Sequence, residues 1–465
     1  MHRLREFWVG DADIAPLALF RVLYGLQLFN WFWQLLPNLT AFFTDEGILP
    51  RRELLVTYAD RFSLLNMFGE WWQVAIVWAV SCATALCIAA GWHTRLACFL
   101  AFVLVSSFSW RDPLILDGSD FVFRVVPLWL SFTNAGDLYS LDAFLRGAPS
   151  SGRGWALPIR LLEFQIAWIY LTTGVEKLAG LYWVDGTATY YALQLEHTFG
   201  RWWARPIALD PTLTHLATWG TLAVELAFLP LAMLPSRLTR LVAVAAAASL
   251  HLGILTLMNV GNFPVIMLSA LVLFLPPEWI RRIMRDPVRS SAPMEPPRRR
   301  GRVCGAALLV VAVLSFATAV PRQLEPVRPS GDVASLLRFL SLDQRWDMFS
   351  PDPARWDWWL LEPARLADGT TFDLLTGGPV DDRSERYSDP LYSRWVKVYE
   401  RIALQSYADY RLEYARYYCR ARNRHLGPGQ VPLDTFDIHY VERTIQAPGE
   451  GPPLIRDIPI WSHKC

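Results

Sequence analysis

Long apolar segments are the feature that most constrains the fold of this chain. A helix needs about 20 mostly apolar residues to cross a bilayer, and windowed hydropathy locates about nine such segments before residue 320. They lie near Ile14–Leu36, Trp71–Gly91, Leu96–Trp110, Phe121–Thr133, Ile159–Lys177, Leu213–Leu234, Leu241–Val260, Phe263–Leu275 and Val303–Ala319. Only 19% of the residues are charged, against about 25% in a soluble domain. The sequence therefore predicts an all-α polytopic membrane helical bundle over residues 1–320.

The chain changes character after this region, where polar, charged and proline residues become frequent. Trp358–Leu375 has the pattern of two strands joined by a tight turn, and Thr435–Thr444 alternates as a strand does. Arg394–Arg422 has helical periodicity. Residues 321–465 are therefore predicted to form a small α+β extramembrane domain.

Arginine in the short loops predicts which side of the membrane each loop faces. Cytoplasmic loops carry an excess of Lys and Arg, and basic gaps such as His93–Arg95 and Arg237–Arg240 belong to that side. An odd number of spans then places the C-terminal domain outside the cytoplasm. There Cys419 and Cys465 form either a disulfide or two free thiols. Membrane lipid is the expected surrounding, and a net charge of +1 favours no nucleic-acid partner.

Lysine is rare in this chain. Of the 44 Lys and Arg residues, only Lys177, Lys397 and Lys464 are lysines. Lysine can lose its proton in a protein, whereas arginine cannot. Lys177 alone falls in the apolar region, at the predicted outer end of its span. Its amine either extends to the membrane interface or lies in a dry pocket, where a neutral amine can act as a general base. The residues themselves leave both interpretations open.

Other ionisable residues fall within the predicted spans, where charged groups usually face a cavity or each other. They are Arg21, Arg124, Glu163, Glu225 and His251. Structural ion pairs between helices are the favoured interpretation for the Arg and Glu residues, and a hydrogen-bonded structural role is the commoner one for a lone histidine. The sequence has no HExxH, P-loop or GxSxG motif, so metal, nucleotide and serine-hydrolase chemistry have no support.

Several motifs occur in order along the chain. They are Leu17–Gly25 with Arg21, Phe42–Pro50, Tyr139–Asp142, Gly174–Leu178 followed by Trp183–Gly186, Leu250–Gly253 with Asn259, and Gln344–Phe349 with Trp346. Together they resemble the vitamin K-dependent gamma-glutamyl carboxylases and their bacterial relatives with the horizontally transferred transmembrane (HTTM) domain. The resemblance extends over roughly residues 11–369, and it implies a multi-pass protein of a bacterial inner membrane.

The resemblance also implies a reaction and a set of site residues. In this family a lysine amine deprotonates a reduced vitamin K-type quinone, O2 converts the quinone to an epoxide, and CO2 adds to a glutamate of an exported peptide. By resemblance, Lys177 and His251 are the catalytic residues. The expected quinone or substrate contacts are Arg21, Trp183, Asn259 and Trp346. Trp183 also fits an ordinary interfacial aromatic belt.

One departure from the family concerns the carboxylation half of this chemistry. Family carboxylases have an Asn-His-Ser segment after the third span, where this chain has Leu116–Asp120 without histidine. Quinone oxidation is therefore the expected reaction, and glutamate carboxylation stays open. The alternative is a non-catalytic membrane scaffold that presents the C-terminal domain to an exported partner. A transporter is less favoured, because the sequence shows no inverted repeat.

Overall fold

Helices form most of the chain up to residue 318. The computed structural model describes residues 2–147, 151–286, 299–380, 393–424, 426–447 and 450–465. The helices of this part are α1 (His2–Val9), α2 (Ala15–Trp33), α3 (Leu39–Phe43), α4 (Arg51–Thr57), α5 (Trp71–Ala90), α6 (Thr94–Arg111), α7 (Gly118–Ser131), α8 (Leu141–Arg146), α9 (Ala156–Lys177), α10 (Leu181–Val184), α11 (Ala188–Leu193), α12 (Arg205–Leu209), α13 (Pro211–Ala232), α14 (Arg237–Leu257), α15 (Phe263–Ala270), α16 (Pro277–Ile283) and α17 (Arg299–Thr318). Two short strands, β1 (Asp11–Asp13) and β2 (Arg153–Trp155), pair antiparallel.

Every segment predicted to span the membrane contains a helix, but not every helix has the length and apolarity of a simple span. Among the described residues, α5, α13 and α14 do, and a fourth span results if Phe263–Phe274 and Pro277–Ile283, bent by 109°, count as one. The others are shorter or more polar: α7 has 14 residues, and α9 carries Arg160, Glu163, Glu176 and Lys177. By length and composition, the described residues therefore contain three to four candidate spans, and about nine are not clearly shown.

Close backbone contact holds part of this bundle together. Helix α2 packs along α5, and a Cβ added to Gly25 would lie only 2.4 Å from the backbone N of Ala89. Small residues at such crossings let helices approach closely, which matters in a bilayer because lipid removes most of the hydrophobic drive for helix association. Gly25 thus has a packing role in the motif that also contains Arg21.

Of the ionisable residues predicted within the spans, Glu163 and Arg124 have carboxylate or arginine partners, as the sequence predicted, whereas Arg21 bonds to backbone oxygen atoms. Glu163 contacts Arg160 at 2.5 Å and Arg240 at 2.7 Å, which confirms an ion pair. Arg124 donates to the backbone O of Asp343 and lies 4.0 Å from its carboxylate. Arg21 instead donates to the backbone O atoms of Ile88 and Tyr139, at 3.1 and 2.6 Å. These last bonds tie α2 to the ends of neighbouring segments.

The C-terminal region combines helices with an antiparallel sheet, as predicted. Its elements are α18 (Gly331–Phe339), β3 (Trp356–Leu361), β4 (Pro363–Leu366), β5 (Thr371–Asp373), α19 (Trp395–Ala403), α20 (Arg411–Asn423), β6 (Leu433–Thr444) and β7 (Ile455–Lys464). The sheet order is β3-β6-β4-β5, with β7 also paired to β6. Two details differ from the sequence expectation. Residues 356–373 form three strands instead of two, and a 3-10 turn at Gln405–Tyr410 separates α19 from α20.

The C-terminal region contacts three long loops of the helical part, at residues 38–70, 111–120 and 178–211. Arg52 pairs with Glu413 at 3.0 Å. Arg401 donates to the backbone O of Leu114 at 2.5 Å. The third loop provides His197, whose Nδ1 lies 2.6 Å from a carboxylate oxygen of the buried Asp357. The domain is thus docked on one end of the helical bundle.

A disulfide joins Cys419 on α20 to Cys465 at the end of β7. The sequence left this pairing open, and the structure decides it. We expect replacement of both cysteines by serine to lower the free energy of unfolding of this region by about 2–4 kcal/mol, because the bridge closes a loop of 46 residues and so restricts the unfolded chain.

Thermal unfolding of the purified protein with and without reductant measures this effect. The matched control is Cys304→Ser, since Cys304 is an exposed free thiol. Equal melting temperatures for the double variant and the parent protein would contradict a stabilising role for the bridge.

Candidate functional site

Lys177 lies in the last turn of α9. The segment that follows this helix folds back over the Lys177 side chain. Immediately after the helix, a Cβ at Gly180 would lie 1.8 Å from the backbone O of Pro351, so only glycine fits this crossing. Asp352 then accepts hydrogen bonds from the backbone N–H groups of Leu181 and Tyr182, at 3.0 and 2.8 Å. The lysine segment is thereby clamped to the chain that follows Gln344–Phe349.

This clamp positions Trp183 against the lysine. The Nζ atom of Lys177 lies 4.3 Å from the centre of a Trp183 ring, a cation–π distance. The indole N–H of Trp183 donates to the backbone O of Phe349 at 2.8 Å. Two segments that carry the family resemblance, more than 160 residues apart, therefore form one wall around the amine.

Glu225 on α13 is the partner of Lys177. Its Oε1 atom lies 2.5 Å from Nζ, and the two side chains are 9% and 5% exposed. Among the described residues, the other carboxylate oxygen, Oε2, has no hydrogen-bond partner. The pair confirms the ion-pair interpretation for Glu225 and shows that Lys177 does not extend to bulk solvent.

A second polar pair lies nearby. The hydroxyl of Tyr170 on α9 lies 2.7 Å from Nε2 of His251 on α14. Tyr170 precedes Lys177 by seven residues, so the two share a face of α9. His251 is buried, and its Nδ1 has no partner within the part of the chain that the structure describes. The Oε2 atom of Glu225 and the Nδ1 atom of His251, like the Oδ2 atom of Asp117, are thus buried without a hydrogen-bond partner among the described residues.

These groups line one cavity of about 620 Å³. Its wall includes Ile169, Tyr170, Thr173, Lys177, Trp183, Phe199, Glu225, His251, Phe263, Met348 and Phe349. Sites for small molecules typically have this size and this mixture of many apolar groups with a few polar ones. Lys177 and His251 therefore line the same cavity, although their catalytic roles stay predictions. Asp117 also lines the cavity, in the segment where family carboxylases have histidine.

Three predicted contacts are not among the residues that line this cavity. Arg21 holds the backbone of α5, as described above. The backbone N–H of Asn259 donates to the O of Phe199 at 2.7 Å. The indole N–H of Trp346 donates to Gln344 at 3.1 Å, and its side chain is buried. Their predicted binding roles stay predictions, and the cavity geometry adds no support to them.

Sequence reasoning did not assign Tyr170 or Lys397 to the site, and it did not identify the partner of Glu225. Tyr170 could have been found from its seven-residue spacing to Lys177. The pairing of Glu225 could not, since it joins residues 48 positions apart. Lys397 also lines the cavity, although it belongs to the C-terminal domain. The rarity of lysine drew attention to Lys177 and could have done the same for Lys397.

These features are those of a multi-pass helical membrane protein with a cavity between its helices and a sheet-containing C-terminal region packed against them. The HTTM domain family matches residues 10–279, more than half of the chain, and the chain belongs to this family. An uncharacterized protein, YitO of Bacillus subtilis, is 27% identical over 244 residues, which cover 48% of this chain and 74% of YitO. No solved structure matches significantly.

Proposed function

We propose that this protein is a quinone-dependent membrane oxygenase in which Lys177 acts as the base. The observation that carries the proposal is the buried contact of Lys177 with Glu225 inside an apolar cavity that also reaches His251. A reduced vitamin K-type quinone would supply the oxidisable ring: with O2 it yields the quinone epoxide and one water molecule. The apolar wall and the partnerless Glu225 and His251 atoms fit a flat molecule with two hydroxyl groups.

Glu225 can accept the proton of Lys177. Two opposite charges are expensive to keep in a dry pocket. A shift of the proton along the 2.5 Å contact converts the pair into a neutral amine and a neutral carboxylic acid. The neutral amine of Lys177 would then accept a proton from a hydroxyl of the bound reduced quinone (a hydroquinone). Trp183 covers the amine and limits its access to water. His251, fixed by Tyr170, holds the second polar end of the ligand.

Activity of purified protein tests this proposal. We expect full-length protein in lipid nanodiscs, supplied with a reduced naphthoquinone and O2, to form the epoxide, which chromatography detects. Lys177→Ala should lower the rate by at least about 100-fold, the usual range for loss of a general base. Lys177→Arg should be equally inactive, because arginine stays protonated.

Two controls define the outcome. Lys464→Ala removes an exposed lysine in β7 and should leave the rate unchanged. Size-exclusion profiles and melting temperatures show whether the Lys177 variants remain folded. Epoxide formation by Lys177→Ala at the parent rate would show that Lys177 is not the base. An inactive parent protein, together with tolerance of Lys177→Arg in the cell, would favour the scaffold alternative.

We further propose that the helical segments form a bundle of about nine spans, several of them short or tilted, in a bacterial inner membrane with the C-terminal domain outside. The Cys419–Cys465 disulfide supports this orientation, because disulfides persist in oxidising compartments. A membrane-impermeant reagent should modify a cysteine introduced on the exposed face of β7 in intact cells. Modification only after lysis would reverse the orientation.

Carboxylation of a glutamate in an exported peptide, with CO2 as co-substrate, is the coupled reaction that we propose to test alongside epoxide formation. Asp117 lines the cavity in the segment where family carboxylases have a histidine tied to carboxylation, so carboxylation is measured separately from quinone oxidation. Incorporation of labelled bicarbonate into a glutamate peptide is the direct measurement. Epoxide formation without incorporation would limit the activity to quinone oxidation.

A further inference from the structure

Helix α19 of the C-terminal domain forms part of the cavity wall. Its Lys397 and Glu400 line the same cavity as Lys177. Two of the only three lysines in a chain that otherwise uses arginine therefore meet at one site, one from the helical bundle and one from the extramembrane domain.

The position of Lys397 is fixed by the residues on either side of it. Arg394 contacts the Asp120 carboxylate at 2.8 Å, and Arg401 donates to the backbone O of Leu116 at 2.7 Å. Residues three before and four after Lys397 lie on its own face of the helix. That face of α19 is thus held against the loop before α7, and the ammonium group is not a freely moving surface charge.

An aromatic wall connects the two lysines. The Nζ atom of Lys397 lies 4.7 Å from the ring centre of Phe199. The Phe199 and Phe349 rings are 5.5 Å apart, and the backbone O of Phe349 accepts the hydrogen bond from Trp183. Trp183 in turn covers Lys177. A ligand that contacts Lys397 therefore lies along the same wall that leads to the proposed base.

The two lysine pairs differ in how readily a ligand can replace the carboxylate. Lys177 and Glu225 are almost fully buried, whereas Lys397 and Glu400 are 13% and 36% exposed. Lys397 and Glu400 also lie three residues apart on one helix, and such partly exposed pairs are weak. An incoming carboxylate can take the place of Glu400, while removal of Glu225 would leave a buried charge.

Two further carboxylates line the cavity, those of Asp347 and Asp117. Asp347 contacts Arg345 at 2.5 Å and Arg322 at 3.4 Å. Asp117 caps α7 by accepting from the backbone N–H of Ser119 at 2.7 Å. Asp347 is therefore compensated by two arginines, whereas the Oδ2 atom of Asp117 has no hydrogen-bond partner among the described residues. Because Lys177 is already held by Glu225, the ammonium of Lys397 is the cavity group best placed to bind an anion.

We propose that Lys397 is a substrate-positioning residue that binds the side-chain carboxylate of an acidic residue in an exported peptide. The peptide would enter from the side of the C-terminal domain and replace Glu400 as the partner of Lys397. The use made of the bound peptide rests on the proposed function of Lys177, but its binding does not require any turnover.

Peptide binding to the full-length protein tests this inference. The probes are two fluorescent peptides that differ only in Glu or Gln at the central positions, added to protein in nanodiscs of zwitterionic lipid so that lipid anions do not compete. We expect the Glu peptide to bind about 10- to 100-fold more tightly, the gain expected from one charge-assisted hydrogen bond. Lys397→Ala should abolish this preference, Lys397→Arg should restore most of it, and Glu400→Gln should strengthen binding of the Glu peptide.

The control and the contrary outcomes separate this inference from the proposed function. Lys464→Ala should bind both peptides as the parent does. Equal affinity of the parent protein for the two peptides, or an unchanged preference in Lys397→Ala, overturns the inference even if Lys177-dependent epoxide formation is found. If the protein forms no epoxide but prefers the Glu peptide in a way that depends on Lys397, the result supports the anion site and contradicts the proposed quinone reaction.

Discussion

Glu225→Ala is expected to lower the free energy of unfolding by about 3–5 kcal/mol, because it leaves the buried Lys177 without its partner. The double variant Lys177→Met/Glu225→Leu should be much less destabilising, since it removes both charges and keeps the volume. Thermal unfolding in nanodiscs, or denaturant titration in mixed micelles, measures the difference between the single and double variants. A single variant no less stable than the double would show that the contact is not an energetically coupled pair.

Glu225→Gln separates stability from activity. Glutamine keeps a hydrogen-bond acceptor beside Lys177 but cannot take up its proton. We therefore expect a folded protein with epoxide formation reduced by about 100-fold, as for loss of the base itself. Full activity in Glu225→Gln would show that a group other than Glu225 takes the proton from Lys177. Lys177 itself could still be the base.

Asp120→Ala is expected to release the C-terminal domain from the helical bundle. Asp120 on α7 is buried and accepts from Arg394 at 2.8 and 2.9 Å and from the indole N–H of Trp31 at 2.7 Å. Its removal takes away the carboxylate that pairs with the buried guanidinium of Arg394, at a cost of about 3–5 kcal/mol. Hydrogen exchange of the backbone amides of α19 measures the loosening directly.

Arg52→Ala is the matched control for this docking interface. Arg52 also joins the bundle to the C-terminal domain through Glu413, but its side chain is 66% exposed. Such pairs contribute about 0–1 kcal/mol, so α19 should exchange as in the parent. Unchanged exchange in Asp120→Ala would show that apolar packing, rather than the Arg394 contact, holds the domain in place.

The sequence predicted the helical segments because hydropathy and periodicity are local properties. Each predicted span contains a helix, and Thr435–Thr444 lies in β6. Strand β7 and the split of the helical run into α19 and α20 were not predicted, because both depend on contacts with distant parts of the chain. The number of membrane crossings was also not fixed, since buried charges make α9 look more polar than an isolated span.

For the candidate site, the sequence by itself determined that Lys177 is an unusual residue at the end of an apolar helix, and family motifs directed attention to Trp183 and His251. Only the tertiary structure decided that Glu225 faces Lys177, that Tyr170 holds His251, and that Lys397 reaches the same cavity. The physical reason is distance along the chain. A residue's rarity and its helical setting are visible in a short window, but the partner that compensates a buried charge is chosen by how separate helices pack.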